Sequence, residues 1–282
     1  MELRTATSIF RCMPSIVPLH FRRLLGAFAY AIDGAELSYC RLREAALDYE
    51  LPRRGARSSI DQWTARNRLS ILSDAWTLID HVSRARKLVS RFPWDQSKSP
   101  RDLNQFVRDT KQAGLIRNRL HQLDEDVYSR ADCDEGHPII GTVSWVDARN
   151  PQKPVCFTIT SGTGDEAEGL ESVPYPSAPP GEVADFRLRV REQTADLDTL
   201  HDTMLWFAER LEAAVSTSVR EMVDAEARRR KVPVEQLRHS HFVDLTIATP
   251  IRPNKGRQHR LFEVPPDAYE PAPHKPFTSP AG

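Results

Sequence analysis

No stretch of this chain approaches the roughly 18 consecutive apolar residues that a membrane-spanning helix needs. A membrane is therefore not an expected partner. There is no excess of charge either, since 39 Lys and Arg balance 39 Asp and Glu. Bulk charge thus singles out no class of partner. Its four cysteines, Cys12, Cys40, Cys133 and Cys156, are far apart and form no Cys-x-x-Cys pair. Arg4 and Arg11 precede no apolar segment with a small-residue cleavage site, so no signal peptide is read. Together these absences give the expectation of a cytoplasmic protein with reduced thiols. The nearest approach to a metal pattern is Cys133-x3-His137 with His239-x-His241. It lacks the tight paired spacings of structural zinc sites, so neither metal nor cofactor is expected. No internal repeat is found.

What is present is helical periodicity. The 282 residues are 40% hydrophobic and 28% charged, ordinary for a globular protein with ample core. Phe21, Leu24, Phe28, Ile32, Ala35, Tyr39, Leu42 and Ala46 recur at spacings of three and four, which predicts one long amphipathic helix. Gly26 and Gly34 lower its helicity unless they mark close helix contacts. A second stripe runs through Ala65, Leu69, Leu72, Trp76, Ile79, Val82 and Val89, with Asp80, His81, Arg84 and Arg86 on its solvated flank. Ser99-Pro100 suits the start of a third helix. Its seam, Leu103, Phe106, Thr110 and Ala113, leads into Arg117, Leu120, Asp124 and Val127.

Between 137 and 194 the pattern changes. Ile139 to Val146 and Val155 to Thr160 are rich in β-branched and aromatic residues and predict a hairpin. Asp185 to Val190 alternates with period two, as a one-sided strand does. A fourth long helix then runs from Leu197 to about Ala225, fraying into Arg228-Arg229-Arg230-Lys231. The expected fold is mainly α: an antiparallel four-helix bundle with a small antiparallel β insertion between the third and fourth long helices. The boundaries read as an irregular lead-in at 1–16, the bundle at 17–232 with its insertion at 137–194, an extension at 233–263 and a disordered tail at 264–282.

The densest polar chemistry lies in AGLIRNRLHQLDEDV, residues 113–127. Arg117 and His121 are one helical turn apart and Asp124 follows on the same face. A histidine exchanges a proton near neutral pH, and an arginine holds phosphate through a fork of donors. This pair suits metal-independent RNA cleavage, with His121 moving a proton, Arg117 stabilising the phosphate and Asn118 positioning either. The same spacing equally fits an intrahelical polar ladder in which Asp124 neutralises Arg117 or orients His121.

Arg117-Asn118 followed by His121, late in a helical bundle, resembles the HEPN (higher eukaryotes and prokaryotes nucleotide-binding) superfamily. HQLDE followed by GTVSW also resembles bacterial helical proteins of undefined role. The HEPN resemblance covers mainly residues 60–130. It implies an up-and-down helical bundle, frequent homodimerisation, and metal-independent endoribonuclease activity in toxin–antitoxin or phage-defence systems. It equally implies inactive scaffolds or nucleotide-binding modules. The carried-over site is Arg117, Asn118 and His121, with Asp124 and Glu125 as supporting carboxylates. Only Asn118, Arg119 and Leu120 separate Arg117 from His121, a shorter spacing than the family's usual one.

The expected function is thus a ribonuclease or an RNA- or nucleotide-binding module, with RNA, nucleotide or an antitoxin-like protein as partner. The alternative is a non-catalytic helical oligomerisation or partner-binding protein. A third reading has the hairpin close a small-molecule pocket with Trp145 and Phe157. Arg228, Arg229, Arg230 and Lys231 would add weak phosphate contacts, or form a solvated helix end that suits the helix dipole.

Overall fold

In the computed structural model the described residues are 5, 8–49, 59–92, 101–121, 140–160, 181–237 and 240–242, and the side chains at 59–65, 120–121 and 240–242 lie outside the description. All fall in one compact unit, Met1–Leu245. The second unit, Thr246–Gly282, lies outside the described residues, as do Cys133, His137, His239 and the tail expected at 264–282.

The long helix α1 (Leu19–Leu47) starts at Pro18, whose carbonyl accepts from the N–H groups of Phe21 and Arg22 at 3.0 Å. Its stripe is buried at Phe28, Ile32, Ala35, Leu42 and Ala46 and half-buried at Phe21, Leu24 and Tyr39, with Leu25 buried beside it. It packs along α2 (Ser59–Val89), which buries Ile71, Ala75, Ile79, Val82 and Val89. The expected third helix is two helices, α3 (Arg101–Asp109) and α4 (Lys111–His121). They divide at Thr110, where the hydroxyl and the N–H both donate to the Phe106 carbonyl, at 2.6 and 3.0 Å. Such back-bonding by a threonine bends helices. Phe106 stacks on Phe207, with ring centroids 4.2 Å apart, which pins α3 to α5 (Leu197–Arg230). Helix α5 opens on Asp196, whose side chain accepts from the Thr199 N–H at 2.8 Å. It ends at Lys231 in the left-handed conformation.

The expected bundle with a small insertion is overturned by the sheet. β2 (Thr142–Asp147), β3 (Val155–Thr160), β4 (Val183–Val190) and β5 (Gln193–Asp196) form one antiparallel sheet of order β3-β2-β4-β5. It is not an appendage. Val143, Trp145, Phe186 and Leu188 are fully buried in the same core as the helix stripes. The fold is therefore mixed, helices packed with a four-stranded antiparallel sheet, because the sheet covers apolar helix faces that a bundle would have covered with helix. Trp145 stacks on Phe157 at 5.3 Å and on Phe186 at 6.2 Å. Both hairpin aromatics thus serve the core.

The lead-in is ordered where it is described. β1 (Cys12–Pro14) pairs antiparallel with β6 (Ser240–Phe242), which follows the short helix α6 (Val234–Leu237). Phe10 and Met13 are buried. Asp33 on α1 accepts from the Thr5 N–H at 3.0 Å and from Arg11 Nη2 at 2.5 Å. A second polar clasp joins α1, α5 and β4. Tyr39 stacks on His201 at 4.0 Å and donates to Asp198 Oδ1 at 2.9 Å. Asp198 Oδ2 also accepts from the Asp185 N–H at 2.7 Å, and His201 Nε2 lies 2.7 Å from Glu36 Oε2. Burial and the neighbouring Asp198 push the Tyr39 hydroxyl pKa up, so it stays a donor.

Candidate functional site

Where α1 and α2 run side by side, α1 presents Gly26, Ala27 and Ala31. These are too small to fill the space between the helix axes. On α2, Arg84, Lys87 and Leu88 share a side, and Arg91 follows in the turn that ends the helix, where its N–H donates to the Leu88 carbonyl. The result is a recess of about 660 Å³ with an apolar floor and a cationic rim. Such a volume lies within the roughly 300–1,000 Å³ typical of ligand sites. Tyr30, which is 63% exposed, stands at its edge. The Arg11 guanidinium lies 5.3 Å from the Tyr30 ring centroid, and Arg11 is itself anchored by Asp33. Among the described residues, Lys87 and Arg91 have no carboxylate partner.

His81 lies in the wall of this recess. Its ring fills the space beside Gly34, where any Cβ would overlap it. That explains the glycine in mid-helix. Nδ1 of His81 is buried without a hydrogen-bond partner. Burial holds the imidazole pKa below its ordinary value; Asp80 opposes that shift, and Arg84 and Arg41 add to it.

Asp80 is the hub beside the groove. Its Oδ2 accepts from Arg84 Nε and its Oδ1 from Arg117 Nε, each at 2.6 Å. Burial raises the Asp80 pKa, but the hydrogen bond from Arg117 and the charges of Arg84 and Arg117 outweigh it, so the carboxyl sits below its usual range. One carboxylate shared by two guanidinium groups leaves the cluster with an excess positive charge beside Lys87 and Arg91.

The structure thus brings Arg117 to α2, with its side chain 18% exposed. Asn118 is exposed on α4. His121 is the last residue of α4 and its side chain lies outside the described residues, as do Asp124 and Glu125 altogether. At the far end of α5, Arg229 and Arg230 pair with Glu226 at 2.5 and 2.6 Å, which holds the Glu226 carboxyl down to about 2. Arg228 and Lys231 are exposed there, and none of the four lines the groove. Of the residues expected on a solvated flank, Arg84 is 60% exposed and lines the recess, whereas His81 is half-buried in its wall and Asp80 is half-buried beside it. The signal for them is the set of small residues at 26, 27, 31 and 34 opposite cations at 84, 87 and 91. A single sequence does not say that these two stretches face one another.

No family model, curated protein or solved structure matches the chain. Among the described residues no group of three or more His, Cys, Asp and Glu is placed to hold a metal ion. No helix among them is long and apolar enough to cross a membrane.

Proposed function

We propose that this chain is a binding module for a phosphate-bearing ligand, a nucleotide or RNA, held in the groove between α1 and α2. The observation that carries this reading is the coincidence of a cationic rim and an apolar, aromatic-edged floor in one recess. Arg84 and Arg91 offer planar forks of donors to phosphate, and Lys87 a compact positive charge. Tyr30 offers a face on which a base can stack, an interaction worth about 1–3 kcal/mol per base in single-stranded complexes.

The HEPN resemblance contributes the ligand class, since its members include nucleotide-binding modules as well as nucleases. Binding is favoured over cleavage by the state of Arg117. Its Nε is engaged by Asp80, and Arg117 does not line the groove in which the phosphate would sit. In a binding module the pair stays closed and Arg117 holds the Asp80–Arg84 hub in place.

Isothermal titration calorimetry of the full chain with AMP and with an oligouridylate tests the proposal. Wild type binds at least one of them, and AMP binding alone marks a nucleotide site. The Lys87→Glu/Arg91→Glu variant, folded by circular dichroism, binds at least about tenfold more weakly, a loss of about 1.4 kcal/mol. Absence of binding by wild type, or equal affinity in the charge-reversed variant, overturns the reading.

A further inference from the structure

We infer that His81 is a ligand-contacting residue that meets the phosphate as an imidazolium, so that filling the groove takes up a proton. The inference rests on the proposed phosphate site and adds its regulation by pH.

His81 is in the wall of the recess with Arg84 and Tyr30. The ring is seated against Gly34, so α1 blocks it on one side. With Nδ1 buried and unpartnered, protonating the ring of the empty groove would bury an N–H with no acceptor, which is costly.

The charges around it point the same way. On α2 the nearest anion is Asp80, whose two oxygens are already taken by Arg84 and by Arg117 of α4. On α1 the nearby charge is Arg41, paired with Asp74 of α2 at 3.0 Å. The imidazole therefore faces two cations and a carboxylate already shared between two arginines, and the lowered pKa follows from burial with Arg84 and Arg41 in support. A phosphate in the recess reverses this balance. It brings negative charge to the one titratable group of the wall that changes state near neutral pH. By linkage, a ligand that prefers the protonated form raises the His81 pKa. Its affinity then grows as pH falls from the bound-state pKa to the free-state pKa.

The test uses an unlabelled oligouridylate without terminal phosphate. Its phosphodiesters do not titrate between about pH 5 and 8, whereas a phosphomonoester has a second pKa near 6. Calorimetry on the full chain at pH 6.5, in phosphate-free buffers of different ionisation enthalpy, reads the protons taken up. Wild type takes up a measurable fraction of one proton per site, and its affinity rises severalfold from pH 8 to pH 6. His81→Asn binds more weakly, without proton uptake and with a flat pH profile. If that variant does not bind measurably, the His81 ring of wild type is titrated by NMR with and without the oligonucleotide. An upward move on binding supports the inference, and an unchanged midpoint overturns it. Buffer-independent binding heats in wild type, or undiminished uptake in His81→Asn, also overturn it while leaving the phosphate site standing. No binding by wild type removes the site itself, and this inference with it.

Discussion

Asp80 decides much of the local chemistry. It draws Arg117 of α4 onto α2 and orients Arg84 at the groove. Its folded-state pKa is lowered, so the unfolded state binds more protons at acid pH. The stability it contributes is therefore present above the unfolded value, near pH 4, and is lost as pH falls through the folded value. Asp80→Asn is expected to cost about 1 kcal/mol at pH 7. The gap to wild type should close below about pH 4, as read by urea denaturation across pH. A constant gap over that range would show that the carboxylate charge is not what matters. Arg117 stands out in the sequence, but its carboxylate partner does not. Helical spacing offers Asp124, about two turns away, and the structure supplies Asp80, 37 positions earlier. Intrahelical neighbours are legible from spacing, whereas partners across a helix pair depend on which faces meet.

The described part of the lead-in shows what holds an element without strong local preference. β1 is three residues long, and nothing in its alternation announces it. It is secured by Phe10 and Met13 in the core and by Arg11 on Asp33, both side chains nearly buried at 10% and 6% exposure. Arg11→Ala would leave a buried carboxylate without its cation, and such losses cost about 3–5 kcal/mol. The thermal midpoint should drop by many degrees, and the grip on Tyr30 should loosen with it. A midpoint within a degree or two of wild type would mean that the Arg11–Asp33 pair contributes little. Other elements were plainer. β3 occupies Val155–Thr160, where β-branched and aromatic residues cluster, and α1 follows its apolar stripe. β5, Gln193–Asp196, has no apolar alternation. It exists because Arg191, at φ 55°, turns the chain back onto β4. The Thr110 break is equally silent in periodicity, since the apolar seam continues through it.

At the scale of the molecule, four apolar helical stripes are legible, but what covers them is not. A stripe is satisfied by another helix or by a sheet, and the pattern is the same in both cases. The aromatics of β2 and β4 settle the matter here, with Trp145 and Phe186 fully buried among helix residues. The groove is the counterpart of that packing. Small residues of α1 leave a recess beside α2, and Arg84, Lys87 and Arg91 face it. If phosphate binds there, the affinity must carry the electrostatic signature of those cations. The most direct measurement is the salt dependence of oligouridylate binding by wild type and by Lys87→Gln/Arg91→Gln. Each phosphate contact to a single strand contributes about 0.7 to the slope of log affinity against log salt. The account predicts a slope shallower by about 1.4 in the double variant. Identical slopes would place the phosphate elsewhere and contradict it.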